Sequence, residues 1–181
     1  MRLVMTVCLA LVLSACVQTA EQDPNLPRLN VSFADDRWIG GVPAEELCKM
    51  LNPAKRPGNS PSIKVAGIPA SAVTIELSFN GTSNRNPTAF INGGHGVIHY
   101  QIPNAGAGEV IVPSFPGQTD KLAAGFVVKR DYSPASSETF GRKGYLPPCS
   151  QGSGNRYSVD IRALDAQGAR VAAGYLFMGT P

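Results

Sequence analysis

Two stretches of this chain alternate apolar and polar residues with a period of two, and this pattern narrows the fold more than any other feature. Val73, Ile75, Leu77 and Phe79 alternate with Thr74, Glu76 and Ser78, while Tyr157, Val159, Ile161 and Ala163 alternate with Ser158, Asp160 and Arg162. Successive side chains of a strand point to opposite faces, so each stretch reads as a strand with one apolar and one wet face. Shorter strand candidates cover residues 29–33, 63–65, 97–102, 110–112, 126–129 and 171–177. Turn signals separate them at Asn80-Gly81, Asn92-Gly93-Gly94, Asn104-Ala105-Gly106 and Gln167-Gly168. Residues 43–51 alone read as helix, with Pro43 in the first turn, Glu45 and Glu46 near the N-terminus, and Leu47, Met50 and Leu51 on one face. Many short strands with Gly- and Pro-rich turns predict a mainly β domain, an antiparallel β-sandwich with one short helix.

The N-terminus has a different character. Arg2 precedes an apolar run over residues 3–13, and Leu13-Ser14-Ala15 lead into Cys16. A charged start, a short apolar run and a small-residue cleavage site make a secretory signal peptide over residues 1–15. A membrane-spanning helix needs roughly 20 apolar residues, more than this run supplies. Leu-Ser-Ala-Cys also resembles the bacterial lipobox, whose cysteine is acylated and becomes the first residue of the mature protein. The resemblance implies lipidation (palmitate) of Cys16, with a plain signal peptide as the rival. Residues 16–27 then form a lipidated polar tether, and 28–181 the folded domain. Val17 after the cysteine implies sorting to the outer membrane, with the domain facing the periplasm.

Removal of residues 1–15 takes away Arg2 and Cys8, lowering the formal charge from +3 to +2. So mild a charge, without a basic cluster, argues against a nucleic-acid partner. Besides the lipid-bearing Cys16, two cysteines remain, Cys48 and Cys149. An oxidising compartment favours a disulfide between them, the alternative being two buried thiols. No CxxC or histidine cluster suggests a metal, and no cofactor motif is present.

Three blocks of sequence occur in an order that resembles the phosphatidylethanolamine-binding protein family, in its bacterial Raf-kinase-inhibitor-like branch. They are Ser60-Pro61-Ser62-Ile63 leading to Gly67-Ile68-Pro69, then Tyr100-Gln101-Ile102-Pro103, then Gly144-Tyr145-Leu146-Pro147-Pro148-Cys149-Ser150 with Asn155-Arg156-Tyr157 and Ala163-Leu164-Asp165. The resemblance implies that family's sandwich fold and a pocket for a phosphate-like anion. This chain departs at the pocket. The family's Asp-Pro-Asp stretch falls on Asn80-Gly81-Thr82-Ser83-Asn84, its His-Trp pair near Gly96-Val97 with His95 one residue away, and its last histidine on Asn155. The family's strained, often cis, peptide falls near Pro147-Pro148. After Asp165 a tight turn and a simple hairpin replace the family's helix.

The expected ligand-binding residues are therefore Asn80, His95, Tyr145, Pro148 and Asn155, contacting a small polar or anionic ligand. His95, in an Asn-Gly-Gly-His-Gly loop, has no evident packing role. His99, on the face of Val97, reads as a hydrogen-bonded structural residue. No nucleophile with an activating partner is recognisable: Cys149 is expected in the disulfide, Gly-x-Ser-x-Gly is absent, and Asp160 and Asp165 fall on opposite faces of one strand. The expectation is a non-enzymatic envelope lipoprotein with no catalytic residues, held to the membrane by Cys16. The alternative is a structural or inhibitory lipoprotein whose pocket has degenerated and whose surface holds an envelope protein.

Overall fold

The computed structural model describes residues 25–82, 90–133, 143–150 and 154–181. The expected signal peptide, Cys16 and the expected tether up to residue 24 lie outside the described residues. The domain is a two-layer antiparallel β-sandwich. One sheet orders β1 (Asn30–Phe33), β2 (Ile63–Ala66) and β5 (Glu109–Val112) as β1-β2-β5. The other orders β3 (Ala72–Thr82), β4 (Val97–Gln101), β6 (Phe126–Arg130), β7 (Arg156–Asp165) and β8 (Arg170–Gly179) as β6-β4-β3-β7-β8. All eight strand candidates are strands, because the same alternation that marks them builds the core. Leu77 lies opposite Ile161 on one side and Ile98 on the other, and Ile75 opposite Ala163 and Tyr100. These side chains form one apolar cluster with Ile63, Val65 and Val112 of the smaller sheet.

The polar positions of the alternation form the outer face of the larger sheet. Glu76 lies opposite His99 and Arg162, its carboxylate 3.0 Å from His99 Nε2 and 2.8 Å from Arg162 Nη1. Burial raises the pKa of Glu76, but these two hydrogen bonds outweigh it and leave the carboxyl below its ordinary value. His99 is thus a structural histidine.

Three local expectations need correction. The helix expected over 43–51 is a single 3₁₀ turn, Ala44–Glu46. A continuing helix needs the carbonyls of Glu45 and Leu47 for its own ladder, but Asn52 Nδ2 bonds the first and Gly58 N–H the second. The turn expected at Asn80-Gly81 is strand: β7 goes on pairing, with Asn80 opposite Ser158 and Gly81 opposite Tyr157. Every described peptide bond is trans, so the cis peptide implied near Pro147-Pro148 does not occur. The hairpin after Asp165 does: Asp165 Oδ1 accepts the N–H groups of Gln167 and Ala169, with Gly168 at φ +79°. The last residue of the expected tether is engaged too, since the Pro27 carbonyl accepts the Ala173 N–H at 3.0 Å.

Candidate functional site

Asn80 and His95 lie at one end of the larger sheet, with their side chains on opposite faces. The extension of β3 past Phe79 puts Asn80 on the outer face, where Nδ2 donates to Asp160 Oδ2 at 2.9 Å. Its Oδ1 accepts the Gly93 N–H at 2.7 Å, fixing the start of the loop that carries His95. Arg130 holds the same loop through the carbonyl of Asn92. His95 N–H donates to the Phe79 carbonyl, and its Nδ1 donates to the Leu146 carbonyl, each at 2.9 Å.

The ring of His95 is only 5% exposed. Phe90 and Tyr157 meet it edge-on, with centroids 5.4 and 5.2 Å away. A Cβ on Gly81 would stand 2.7 Å from His95 Nε2, so glycine there makes room for the imidazole. The expectation of a histidine without a packing role is therefore corrected. Burial pushes its pKa down to about 4, against the raising effect of the Leu146 bond, so the ring is neutral at pH 7. With Nδ1 donating, Nε2 is the acceptor nitrogen.

Tyr145 enters from the strand-less segment 143–150. Its ring packs 4.3 Å from Phe79 and 5.9 Å from Phe115, and its hydroxyl, fully enclosed, has no hydrogen-bond partner among the described residues. Burial first, then Tyr157 and Glu46, raises this phenol well above its ordinary pKa. The next residues pin the segment. Leu146 N–H donates to the His95 carbonyl, and the Pro148 carbonyl accepts the Cys48 N–H at 3.0 Å. Cys149 forms the disulfide with Cys48 and donates its N–H to Tyr157 Oη at 3.0 Å.

The structure thus holds His95 and Tyr145 against the same Phe79, whereas the side chain of Asn80 lies on the opposite face of the sheet and touches the His95 loop only through the Gly93 N–H. Pro148 contributes its carbonyl to the fastening of the 143–150 segment, and Asn155 sits half-buried just before β7. Three participants escaped the sequence reading: Tyr157, Asp160 and the Leu146 carbonyl. Tyr157 read there as an alternating strand residue within a family block, and Asp160 as a strand carboxylate without a paired partner. Burial raises the Asp160 pKa despite the Asn80 bond and the nearby Arg162. Among the described residues no Lys or Arg bonds Asn80, His95 or Tyr145, and no group of His, Cys, Asp and Glu side chains suits a metal ion.

No family model matches the chain, and no curated protein matches its sequence.

A separate groove of about 210 Å³ lies between the 38–41 loop and the end of β8. Trp38, Ile39, Phe177 and Met178 line it, and none of the five nominated residues does. No described helix is long and apolar enough to cross a membrane.

Proposed function

We propose that this chain is a non-enzymatic lipoprotein of a bacterial envelope, anchored through Cys16, that binds a small polar ligand at the His95 end of a sandwich similar to the phosphatidylethanolamine-binding fold. The observation that carries this reading is that His95 and Tyr145, nominated from two distant parts of the sequence, are both held against Phe79, whose carbonyl accepts the His95 N–H at 2.9 Å and whose ring lies 4.3 Å from that of Tyr145. The leader supports export and anchoring, and the disulfide suits an oxidising periplasm. His95 is bordered by Phe90, Gly81 and Tyr157, with no Ser or Cys nucleophile bonded to it among the described residues, which supports binding over hydrolysis.

A second reading, an interaction lipoprotein with a closed pocket, is favoured by one observation. Asn80 and His95 both spend hydrogen bonds on the backbone, at Gly93 and Leu146. Thermal unfolding of the protein against phosphate monoesters and ethanolamine and glycerol headgroups separates the two. A ligand of the folded form stabilises it by about 2.7 kcal/mol at one hundred times its dissociation constant. A saturable rise in midpoint, lost in His95→Ala, is the expected result. A flat panel with a crosslinked envelope protein in its place favours the second reading.

A further inference from the structure

We propose that the open edge of β8 at residues 175–177, together with the groove beside Trp38, takes up an extended peptide segment of another protein as an added strand. A large apolar side chain of that segment fills the groove, and acidic residues flank it. The site lies apart from the five nominated residues and does not depend on a small ligand at His95.

The open edge follows from the bonding of β8. Ala173 lies opposite Arg162 of β7, yet its N–H donates to the Pro27 carbonyl at 3.0 Å and its carbonyl accepts the Leu29 N–H at 2.8 Å. Ala173 therefore turns its backbone groups away from β7, and in an antiparallel pair every second residue does the same. The next two are Tyr175 and Phe177, opposite Asp160 and Ser158. Among the described residues, neither bonds any backbone beyond β7. Unpaired N–H and C=O groups along an edge are a template for another strand, and charged residues commonly protect such edges. β6, at the opposite edge of the sheet, ends in Lys129 and Arg130, whereas residues 175–178 read Tyr-Leu-Phe-Met.

The groove borders this edge at Phe177. Trp38 and Met178 are buried, while Ile39 and Phe177 are 71% and 40% exposed, so the space of about 210 Å³ is apolar and open to solvent. Main-chain bonds to a sheet edge, with a pocket beside it for a side chain, are how sheets recognise extended peptides. Charge adds to the pattern. The exposed Arg156 stands 5.1 Å over the Phe177 ring and makes no ion pair among the described residues. Successive side chains of a strand alternate in direction, so when one enters the groove its two neighbours face the side of Arg156. Carboxylates at those neighbours meet its guanidinium. A second copy of this chain fits less well. Two β8 edges paired about Leu176 set Gly179 opposite Ala173, where residues 27–29 already lie.

Trp38 is the one tryptophan of the chain and lines the groove, so its fluorescence reports occupancy. The probes are the capped peptide acetyl-Thr-Glu-Phe-Glu-Thr-amide and its counterpart with leucine at the centre, titrated into the intact protein. At least one is expected to change the Trp38 emission saturably. The same peptide N-methylated along its backbone keeps its side chains, loses its strand donors, and is expected to bind at least tenfold more weakly. Arg156→Glu, a change at an exposed position, is expected to weaken the acidic peptide tenfold and to favour the version with lysine in place of glutamate. Four results overturn the proposal: no saturable change with either peptide, equal affinity for the N-methylated form, unchanged affinity in Arg156→Glu, or a Trp38 emission that follows protein concentration alone with a dimer in sedimentation. The last gives the edge to a second copy.

Discussion

His95 and Leu146, 51 residues apart, are bonded to each other twice: the imidazole Nδ1 donates to the Leu146 carbonyl, and the Leu146 N–H donates to the His95 carbonyl, each at 2.9 Å. This reciprocal pair fastens the 93–96 loop to the 143–150 segment. It also makes the imidazole part of the fold, with one nitrogen committed and the other left as an acceptor beside Tyr157.

Burial of a neutral His95 predicts acid sensitivity. Its pKa falls from 6.5 in the unfolded chain to about 4 in the folded one, so the unfolded state takes up the proton first. The contribution is complete above pH 6.5 and is lost as pH falls toward 4. At 1.36 kcal/mol per unit, the loss between pH 7.5 and 4.5 is about 2–3 kcal/mol. Urea unfolding at both pH values measures it, and His95→Gln, which cannot titrate, is expected to lose this component.

Asp160 has the opposite sign. Its pKa is raised on folding, so the folded state holds its proton more tightly, and stability declines as pH rises from 3.8 through the folded value. Asp160→Asn keeps an oxygen for Asn80 Nδ2 without the buried charge. It is expected to match or exceed the parent by up to about 1 kcal/mol at pH 7 and to show no gain at pH 3.5. Asn80→Ala is expected to cost about 2–3 kcal/mol, because it strips the acceptor from Gly93 N–H and the donor from Asp160. Denaturant midpoints of the three proteins check both expectations.

Gly81→Ala places a methyl group 2.7 Å from His95 Nε2 and 3.2 Å from the Tyr157 ring. The imidazole must move, and overpacking of this kind costs about 1–3 kcal/mol. NMR of the His95 ring protons is expected to show a changed environment and a pKa nearer 6.5, as the enclosure is lost.

The Cys48–Cys149 disulfide spans 101 residues. Chain-entropy arguments give about 4.7 kcal/mol for such a loop as an upper figure, and removal of a native bridge commonly costs 2–5 kcal/mol. Urea midpoints with and without a dithiol reductant are expected to differ by about that amount. Reduction is also expected to free the 143–150 segment, seen as faster amide exchange at Leu146 and Cys149.

The strands were legible because alternation is a local signal and the sandwich uses it as written: Leu77 and Ile161 face the core, Glu76 and Arg162 the outer side. The disulfide was legible from the cysteine number and the compartment that the sequence leads one to expect. Asn80-Gly81 misled, because a local turn preference yields when β7 offers paired backbone on one side and Phe90 bridges the other. Residues 43–51 misled in the same way, since the side chain of Asn52 and the backbone of Gly58 claim the helical acceptors. The setting of His95 could not be read locally. Its partners Phe79, Leu146 and Tyr157 lie 16, 51 and 62 positions away, and only the fold brings them together.

An NMR titration with the compound that raises the thermal midpoint most tests the central claim directly. The binding account predicts that the amide signals of Gly81, Gly93, His95, Leu146 and Cys149 move together and saturate with a single dissociation constant. Movement confined to Trp38, Ile39 and Phe177 of the separate groove, or no saturable movement at all, would contradict it.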